Sequence, residues 1–340
     1  MDIIYDNPNE DLLQRLLKIR KIDGSIDDFL NPTFTNSWID PYLLNDFEIA
    51  IHRIQKAIKN NEKIVILGDY DVDGITSSFL LYKFFTIFLN YKKISIRLPN
   101  RLTDGYGMKK HHLDEIKSVG ADLVITVDNG ITCIKEAEYA SKIGLDLIIT
   151  DHHKALDQIP KTLAVVNPQI SPNYSFKGIA GVGVAFKIAS ALIKIYIKDI
   201  NRKKIALNYL LPIVAIGTVA DCVPLLGENR LMTKMGIDYI NTKKLIPKSI
   251  SNFLSFLNIK NNIETFHIGF MIAPRINAGG RMQSPYDSLN CLIYSGDKQK
   301  KHLENIEKIN NDRKKSQDDG YKEIDKIIDK SKKSFDSTIK

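Results

Sequence analysis

The sequence has few cysteines and no long uninterrupted hydrophobic run. Three cysteines, Cys133, Cys222 and Cys291, are scattered along 340 residues. They match neither a disulfide framework nor a CxxC zinc motif. The longest apolar stretch, 210–226, contains two prolines and an aspartate, which argues against a membrane span. The chain opens with acidic and polar residues and lacks the pattern of a secretory signal peptide. These absences favour a reducing, cytoplasmic location and no association with a membrane.

Arginine is also scarce, with 10 arginines against 38 lysines in a chain of formal net charge +8. A basic balance is compatible with nucleic-acid binding, but by itself it is weak evidence. The positions of three arginines are more informative, because Arg101, Arg275 and Arg281 fall in segments rich in glycine and proline. Arginine binds phosphate through two parallel hydrogen bonds where lysine acts as a point charge. These three residues are therefore candidate phosphate ligands.

Short apolar runs alternate with helical segments through the first half of the chain. Continuous apolar strands alternating with helices are typical of a parallel sheet covered by helices on its faces. The sequence therefore predicts an α/β fold, with mainly helical additions and a long C-terminal connecting helix. The predicted strands are Ile64–Leu67, Ile94–Leu98, Leu123–Val127, Leu145–Ile149 and Leu163–Val166, and the predicted helices between them are 75–89, 109–119 and 131–143.

Four further segments complete the prediction. Leucines at helical spacing predict an amphipathic helix near residues 12–17, and residues 178–240 are predicted to be mainly helical. The glycine- and proline-containing block 269–282 is interpreted as a loop. Residues 298–340 are charged, with apolar residues at roughly helical spacing, and predict a long helix whose apolar face lacks a partner within this chain.

Acidic residues follow three of the predicted strands directly. The first strand leads into GDYDVDG (68–74), the third into Asp128 and the fourth into the Asp-His-His segment 151–153. In an open α/β sheet these strand ends meet near the point where the strand order reverses, which is where ligands bind. Asp221 lies within another apolar segment, VAIGTVADCVPL, where an unpaired carboxylate would be costly.

So many carboxylates cannot all stay ionised without a cation, because neighbouring like charges raise one another's pKa. We therefore expect two divalent cations, manganese preferred or magnesium, about 3.5–4 Å apart at a site for displacement at phosphorus. Asp128 and Asp221 are the candidate bridging ligands, and His153 is a candidate phosphate contact or general acid. The predicted metal ligands are Asp69, Asp71, Asp73, Asp128, His152 and Asp221. For Asp69 two roles stay open, since it could bind a cation directly or support a neighbouring ligand.

Other interpretations of the same motifs compete with a metal site. An EF-hand calcium loop starting at Asp69 would place Leu80 where a glutamate is needed. A phospho-receiver pocket would leave Asp221 without a role. The glycines of GIAGVG (178–183) fit either a phosphate cradle or a tight helix entry. The pair at 111–112, His-His, is interpreted as a surface feature.

Taken together, the motifs resemble those of the DHH phosphoesterase family, and most closely its branch of single-strand-specific DNA exonucleases. The resemblance extends from about Phe29 to about Arg313, and the ordered series is far more specific than the Asp-His-His triplet alone. The motifs are GDYDVDGITS, PNRLTDGYGM, LVITVDNGI, TDHH, AVVNPQ, GVGVAFK, AIGTVADCVPL and APRINAGGRM.

The resemblance implies metal-dependent hydrolysis of phosphodiester bonds, with 5′ to 3′ degradation of single-stranded DNA in repair and recombination. It places Arg101 near the 5′-phosphate and Tyr106 in the same substrate-binding motif. It also implies that Arg275, Asn277 and Arg281 line the nucleotide path. Single-stranded DNA is the expected partner, together with a single-strand-binding protein or a helicase.

The resemblance also divides the chain. Residues 1–45 would form an N-terminal helical cap, 46–290 the DHH catalytic domain, and 291–340 a helix connecting to a C-terminal domain absent from this chain. Because that domain and an OB-fold supply part of the DNA channel in the family, two alternatives stay open. One is an oligonucleotide or small-molecule phosphodiesterase or pyrophosphatase, and the other is a non-catalytic remnant that binds nucleic acid.

Overall fold

The computed structural model describes residues 11–20, 22, 25–242 and 246–338. Five parallel strands form one sheet in the order β2-β1-β3-β4-β5. This confirms the predicted α/β fold with its parallel, helix-covered sheet, and the predicted strands differ from the observed ones by one residue at most. The strands are β1 (Ile64–Leu67), β2 (Ile94–Arg97), β3 (Leu123–Val127), β4 (Asp146–Thr150) and β5 (Ala164–Val166).

Helices cover both faces of this sheet, and further helices follow the last strand in the sequence. Two π-helical segments, Phe84–Phe88 and Ile268–Ile272, and two 3-10 turns, Pro41–Leu43 and Pro168–Ile170, interrupt or join them. The α-helices are α1 (Leu12–Ile19), α2 (Ile26–Leu30), α3 (Phe47–Lys59), α4 (Val72–Lys83), α5 (Arg101–Asp104), α6 (Lys110–Ser118), α7 (Ile134–Lys142), α8 (Gly181–Tyr196), α9 (Ile200–Ala220), α10 (Gly227–Thr242), α11 (Lys248–Phe256), α12 (Thr265–His267), α13 (Ala273–Met282), α14 (Pro285–Ile293) and α15 (Asp297–Thr338).

The sheet is buried on both faces, which explains its continuous apolar strands. All residues of β1 and β3 are buried. Along β1, Ile64 and Ile66 pack into the larger core with α3, α4 and α8, whereas Val65 and Leu67 pack into a second core with α6 and α7. Because the strand order reverses between β1 and β3, the carboxyl ends of these two strands flank the topological switch point.

The interpretation of residues 269–282 as a loop is wrong. The segment continues a π-helical turn into α13. Its proline lies in the first turn of α13, directly after the π-helical turn. Its glycines serve close packing, since a Cβ added to Gly280 would lie 2.3 Å from the carbonyl oxygen of Tyr70.

Helix α15 has a partner along its first part, contrary to the prediction. Leu303 and Ile306 are buried in the main core, where α15 packs against α13 and α14. The later residues Tyr321 and Ile324 are exposed. Among the side chains that the structure describes, the large exposed apolar residues of α15 therefore lie in the distal part of the helix.

Helix α9 is the one helix among the described residues that is long and apolar enough, by composition, to cross a membrane. Of the 18-residue segment of α9 that is apolar enough, 61% is buried inside the protein. Its residues Leu210, Ile213 and Val214 pack in the main core. This burial is that of a core helix in a globular domain.

The motif GVGVAFK supplies a buried cation that joins four parts of the chain. Lys187 of α8 lies 2.6 Å from Glu228 of α10, and both side chains are fully buried. The Lys187 ammonium also donates to the carbonyl oxygen of Ile39 at 2.8 Å and lies 3.8 Å from the ring centroid of Trp38. Glu228 accepts further hydrogen bonds from the amide of Ile39 and the hydroxyl of Tyr174. Burial lowers the pKa of Lys187 to about 8, although the Glu228 carboxylate opposes that shift.

We predict that Lys187→Met lowers the free energy of unfolding by about 3–5 kcal/mol, because it leaves a buried carboxylate without its counter-ion. Urea unfolding measures this loss. Replacing both partners, in Lys187→Met/Glu228→Gln, should cost less than the single substitution. If the double variant loses as much as the sum of the two single variants, the two side chains are not coupled and the interpretation fails.

Candidate metal centre

The carboxyl ends of β1, β3 and β4 bring most of the predicted ligands together. Three groups of side chains present oxygen or nitrogen atoms within 4.8 Å of one another. Neighbouring parallel strands end at the same edge of the sheet, so acids far apart in sequence converge there. The groups are Asp69 with Asp71 and Asp128, Asp128 with His152 and His153, and Asp73 with His152 and Asp221.

Asp73 is held by the start of α8. Its two carboxylate oxygens accept hydrogen bonds from the backbone amides of Gly181 and Val182, at 2.7 and 2.8 Å. The amides at a helix N-terminus have no intrahelical partner and carry partial positive charge, which suits an anion. The helix start within GIAGVG thus binds a carboxylate of the chain itself. A Cβ added to Gly181 would lie 2.7 Å from an oxygen of Asp128, so this helix entry also requires glycine.

Asp128 has a left-handed backbone, with φ of 61°. Aspartate and asparagine tolerate this conformation better than most residues. The turn brings Asp128 Oδ1 to 3.1 Å from His152 Nε2. Asp221 reaches the same point from another direction, as the residue that ends α9, and its carboxylate lies 3.7 Å from His152 Nε2.

Four buried ligand atoms at this point have no hydrogen-bond partner within the described part of the chain. They belong to three aspartates and one histidine. A buried polar atom without a partner is destabilising, so such a set indicates that bound ligands satisfy these atoms. Oxygen atoms with one imidazole nitrogen form a donor set suited to a divalent cation such as manganese. The atoms are Asp69 Oδ1, Asp128 Oδ1, Asp221 Oδ2 and His152 Nε2.

The electrostatics of the site agree with this donor set. Burial raises the pKa of Asp69 to about 8 and that of Asp221 to about 7, and the charge of Asp71 adds to both shifts. Burial likewise raises the pKa of Asp128 well above its usual range, and the charge of Asp73 adds to it. Burial lowers the pKa of His152 to about 4, which keeps its imidazole neutral and able to bind a metal. A bound cation would offset the repulsion among these carboxylates.

His153 is oriented by Asp151, a residue that the sequence reasoning did not select. Asp151 accepts hydrogen bonds from the amides of Ile131, His152 and His153, and its Oδ1 lies 2.7 Å from His153 Nδ1. This hydrogen bond raises the pKa of His153 to about 9, against the effect of burial. The Tyr106 hydroxyl lies 3.2 Å from the same nitrogen. His153 is therefore protonated at neutral pH and lies beside the proposed ligands. The sequence did offer a signal for Asp151, because this residue directly precedes the two histidines.

A cavity of about 260 Å³ opens over these acids. Four of the five predicted substrate-binding residues line it, namely Arg101, Tyr106, Asn277 and Arg281. Tyr70 also lines it and was missed, because a tyrosine between two aspartates has no distinctive spacing. The Arg101 guanidinium lies 5.5 Å from the centroid of the Tyr70 ring. Asn277 accepts a hydrogen bond from the amide of Val72, which fixes α13 to the start of α4.

Arg275 is placed differently from the other four. Its guanidinium forms an ion pair with Glu307 of α15, and its Nη1 donates to the carbonyl oxygen of Met271 at 2.7 Å. It does not line the cavity. Its predicted contact with substrate stays a prediction, and it would require exchange of the Glu307 partner.

We predict that Asp128→Asn abolishes stabilisation by manganese while it stabilises the metal-free protein. Asparagine keeps the left-handed backbone but removes one charge from the cluster. The wild-type chain should gain about 2.7 kcal/mol at a manganese concentration of 100 Kd, and the variant should gain almost nothing. Thermal unfolding with and without manganese, beside manganese binding by calorimetry, measures both effects.

The exposed carboxylate Asp157 gives the matched control, because Asp157→Asn removes the same charge from a residue that belongs to none of the groups of potential ligands. That variant should keep the full response to manganese. A manganese response in Asp128→Asn equal to that of the wild-type chain would contradict the assignment of Asp128 as a ligand.

Known proteins are similar to this chain in sequence. A family model described as the DHH family, N-terminal domain, matches residues 63–218. The single-stranded-DNA-specific exonuclease RecJ of Bacillus subtilis is 37% identical over 279 residues, which make up 81% of this chain and 34% of that protein. The protein of the same name from Escherichia coli is 36% identical over 247 residues, which make up 70% of this chain and 42% of that protein.

The fold agrees as well. A crystal structure of exonuclease RecJ bound to manganese is similar with a TM-score of 0.71 and 27% identity, over 80% of this chain and 67% of that one. The chain spans less than half the length of the two RecJ proteins compared by sequence. The matched domain contains the acids that follow β1 and β3 and the Asp-His-His segment. In its sequence over residues 63–218, and in its fold, the chain is similar to the DHH family.

Proposed function

We propose that the chain is a metal-dependent phosphodiester hydrolase that degrades single-stranded DNA from its 5′ end. The observation that carries the proposal is the set of four buried ligand atoms without partners, beneath a cavity that two arginines line. Such a cavity pairs a cation site with groups that bind phosphate oxygens. The similarity to single-stranded-DNA-specific exonucleases supports DNA as the substrate.

We propose two divalent cations at this site, with manganese preferred or magnesium. The similar RecJ structure is of a manganese-bound protein, which supports the choice. Asp69, Asp71, Asp128, His152 and Asp221 would hold the cations. Asp73, whose oxygens both accept amides of α8, would bind with its remaining lone pairs or orient its neighbours. Bound there, the cations supply an activated water and stabilise the phosphoryl oxygens.

The chain's own residues would position the strand and move a proton. Arg101 and Tyr106 would bind the 5′-terminal phosphate, and Arg281 with Asn277 would orient the scissile phosphate. His153 carries a proton at neutral pH and is half-exposed toward solvent, so it would donate to the leaving oxygen or to a phosphate oxygen. Asp151 would hold the His153 ring in place throughout.

The wider assignments rest on the same similarity. Residues 1–45 would form a helical cap, 46–290 the catalytic domain, and 291–340 the connection to a further domain. The protein would act in the cytoplasm in DNA repair and recombination, beside a single-strand-binding protein or a helicase. Three free cysteines, two of them buried, are compatible with a reducing compartment.

The test uses 5′-labelled single-stranded and duplex DNA with manganese, magnesium or a chelator. We expect manganese-dependent release of labelled mononucleotide from single strands and little release from duplex. Asp128→Asn should lower the rate on the order of 10³-fold or more, as expected when a group that stabilises the transition state is lost. Asp157→Asn, which removes an exposed charge, should keep the wild-type rate.

Other outcomes have distinct meanings. Hydrolysis of a dinucleotide or a nitrophenyl phosphodiester, without cleavage of DNA, would replace the exonuclease with a small-molecule phosphodiesterase. Binding of DNA without any hydrolysis at saturating manganese would contradict the enzymatic proposal. Release from the 3′ end would contradict the proposed polarity.

A further inference from the structure

Two residues that line the cavity lie on one short, weakly supported segment. Arg101 begins α5, a helix of four residues, and Tyr106 follows it between Gly105 and Gly107, whose φ angles are 71° and 79°. A single turn of helix is not stable by itself. A Cβ added to Gly105 would meet no other atom within 4 Å, so the turn is open to solvent on that side. Contacts of Arg101 with Tyr70 and of Tyr106 with His153 hold the two side chains, but the backbone that carries them needs a further anchor.

Asp104 supplies hydrogen bonds that close this segment on itself. Its Oδ2 accepts the amide of Asn100 at 2.8 Å, and its Oδ1 accepts the hydroxyl of Thr103 at 2.8 Å. Oδ2 also lies 3.0 Å from His112 Nε2. Burial opposes ionisation, but the hydrogen bonds from Asn100 and His112 hold the pKa of Asp104 well below its usual range. The segment is therefore organised around one ionised carboxylate.

His112 connects that carboxylate to the body of the protein. The interpretation of the pair at 111–112 as a surface feature is wrong for His112, whose side chain is fully buried, while His111 is 53% exposed. His112 Nδ1 accepts the amide of Lys109 at 3.2 Å, so its proton lies on Nε2 and is donated to Asp104. Helix α6, which carries His112, is anchored in the second core by Leu113 and Ile116.

Asp104, His111 and His112 are also close enough together to bind a cation. The hydrogen bonds argue against that interpretation. Both ring nitrogens of His112 have partners, as do both oxygens of Asp104. None of these atoms is among the buried ones that lack a partner, in contrast to those of the metal centre.

We propose that Asp104 and His112 are positioning residues for substrate binding. Their buried hydrogen bond ties the segment of residues 100–107 to α6 and so holds Arg101 and Tyr106 over the cavity. The inference rests on the proposed function, because Arg101 is taken to bind the 5′-terminal phosphate. Recognition of that phosphate would thus depend on His112, although His112 does not line the cavity.

The decisive variant is His112→Leu, which fills the buried space but cannot donate to Asp104. For a 5′-phosphorylated oligonucleotide we expect KM to rise about tenfold with a smaller change in kcat, because misplacing a substrate ligand weakens binding. A 5′-hydroxyl oligonucleotide should be affected less. His112→Gln, whose side-chain amide can still donate to Asp104, should recover most of the loss. His52→Gln, which changes an exposed histidine outside this segment, is the matched control and should behave as the wild-type chain.

Two further measurements separate positioning from a general loss of structure. Amide hydrogen exchange of residues 98–108 should accelerate in His112→Leu, while affinity for manganese stays unchanged. If His112 acts through Arg101 and Tyr106, the loss of affinity for the 5′-phosphorylated strand in Arg101→Gln/His112→Leu should be clearly smaller than the sum of the losses in the two single variants.

An unchanged exchange rate in His112→Leu would overturn the proposal, as would additive losses in the double variant. A fall in manganese affinity equal to the loss of activity would also overturn it, because the role would then be structural. If the wild-type chain cleaves no DNA, the proposed function fails and, with it, the link to the 5′-phosphate. The exchange experiment still decides whether the pair holds the segment.

Discussion

The constraint on which the rest of this structure depends is repulsion among carboxylates that the fold buries together. Asp69, Asp73 and Asp128 are almost fully buried, and each is less stable ionised than it would be in water. The chain offsets part of that repulsion with backbone dipoles at the start of α8, and leaves the rest to a cation. The free energy of folding is thus tied to the occupancy of the site, as is usual where a protein prepares a metal centre in advance.

Close approach of backbone to backbone is the second requirement. The cluster is enclosed by helices that meet the strand ends with no room for a side chain. A Cβ at Gly181 would collide with Asp128, one at Gly217 would lie 2.3 Å from the Thr76 hydroxyl, and one at Gly280 would meet the carbonyl of Tyr70. These glycines bring α8, α9 and α13 against the loops that carry the acids. The same short distances allow Asn277 to bind the start of α4 and Arg281 to reach the cavity.

The sequence predicts those parts of the site that depend on two patterns. One is the alternation of strands with helices, and the other is the presence of acidic or histidine residues directly after a strand. The acids after β1 and β3 and the histidines after β4 belong to this class, because each follows a short and mainly apolar strand. Residues 269–282 could not be predicted this way, since glycines that serve packing look the same in a sequence as glycines that break a helix. His112 and the Glu307 partner of Arg275 were missed because tertiary contacts alone decide their surroundings.

The left-handed backbone of Asp128 narrows which residues the position can hold. Glutamate would supply the charge but would fit the backbone conformation poorly, and asparagine would fit the backbone but lack the charge. Glycine satisfies the backbone alone. The backbone conformation and the need for a carboxylate are two independent requirements, and aspartate meets both of them. A substitution at this position is therefore expected to cost either the turn or the charge.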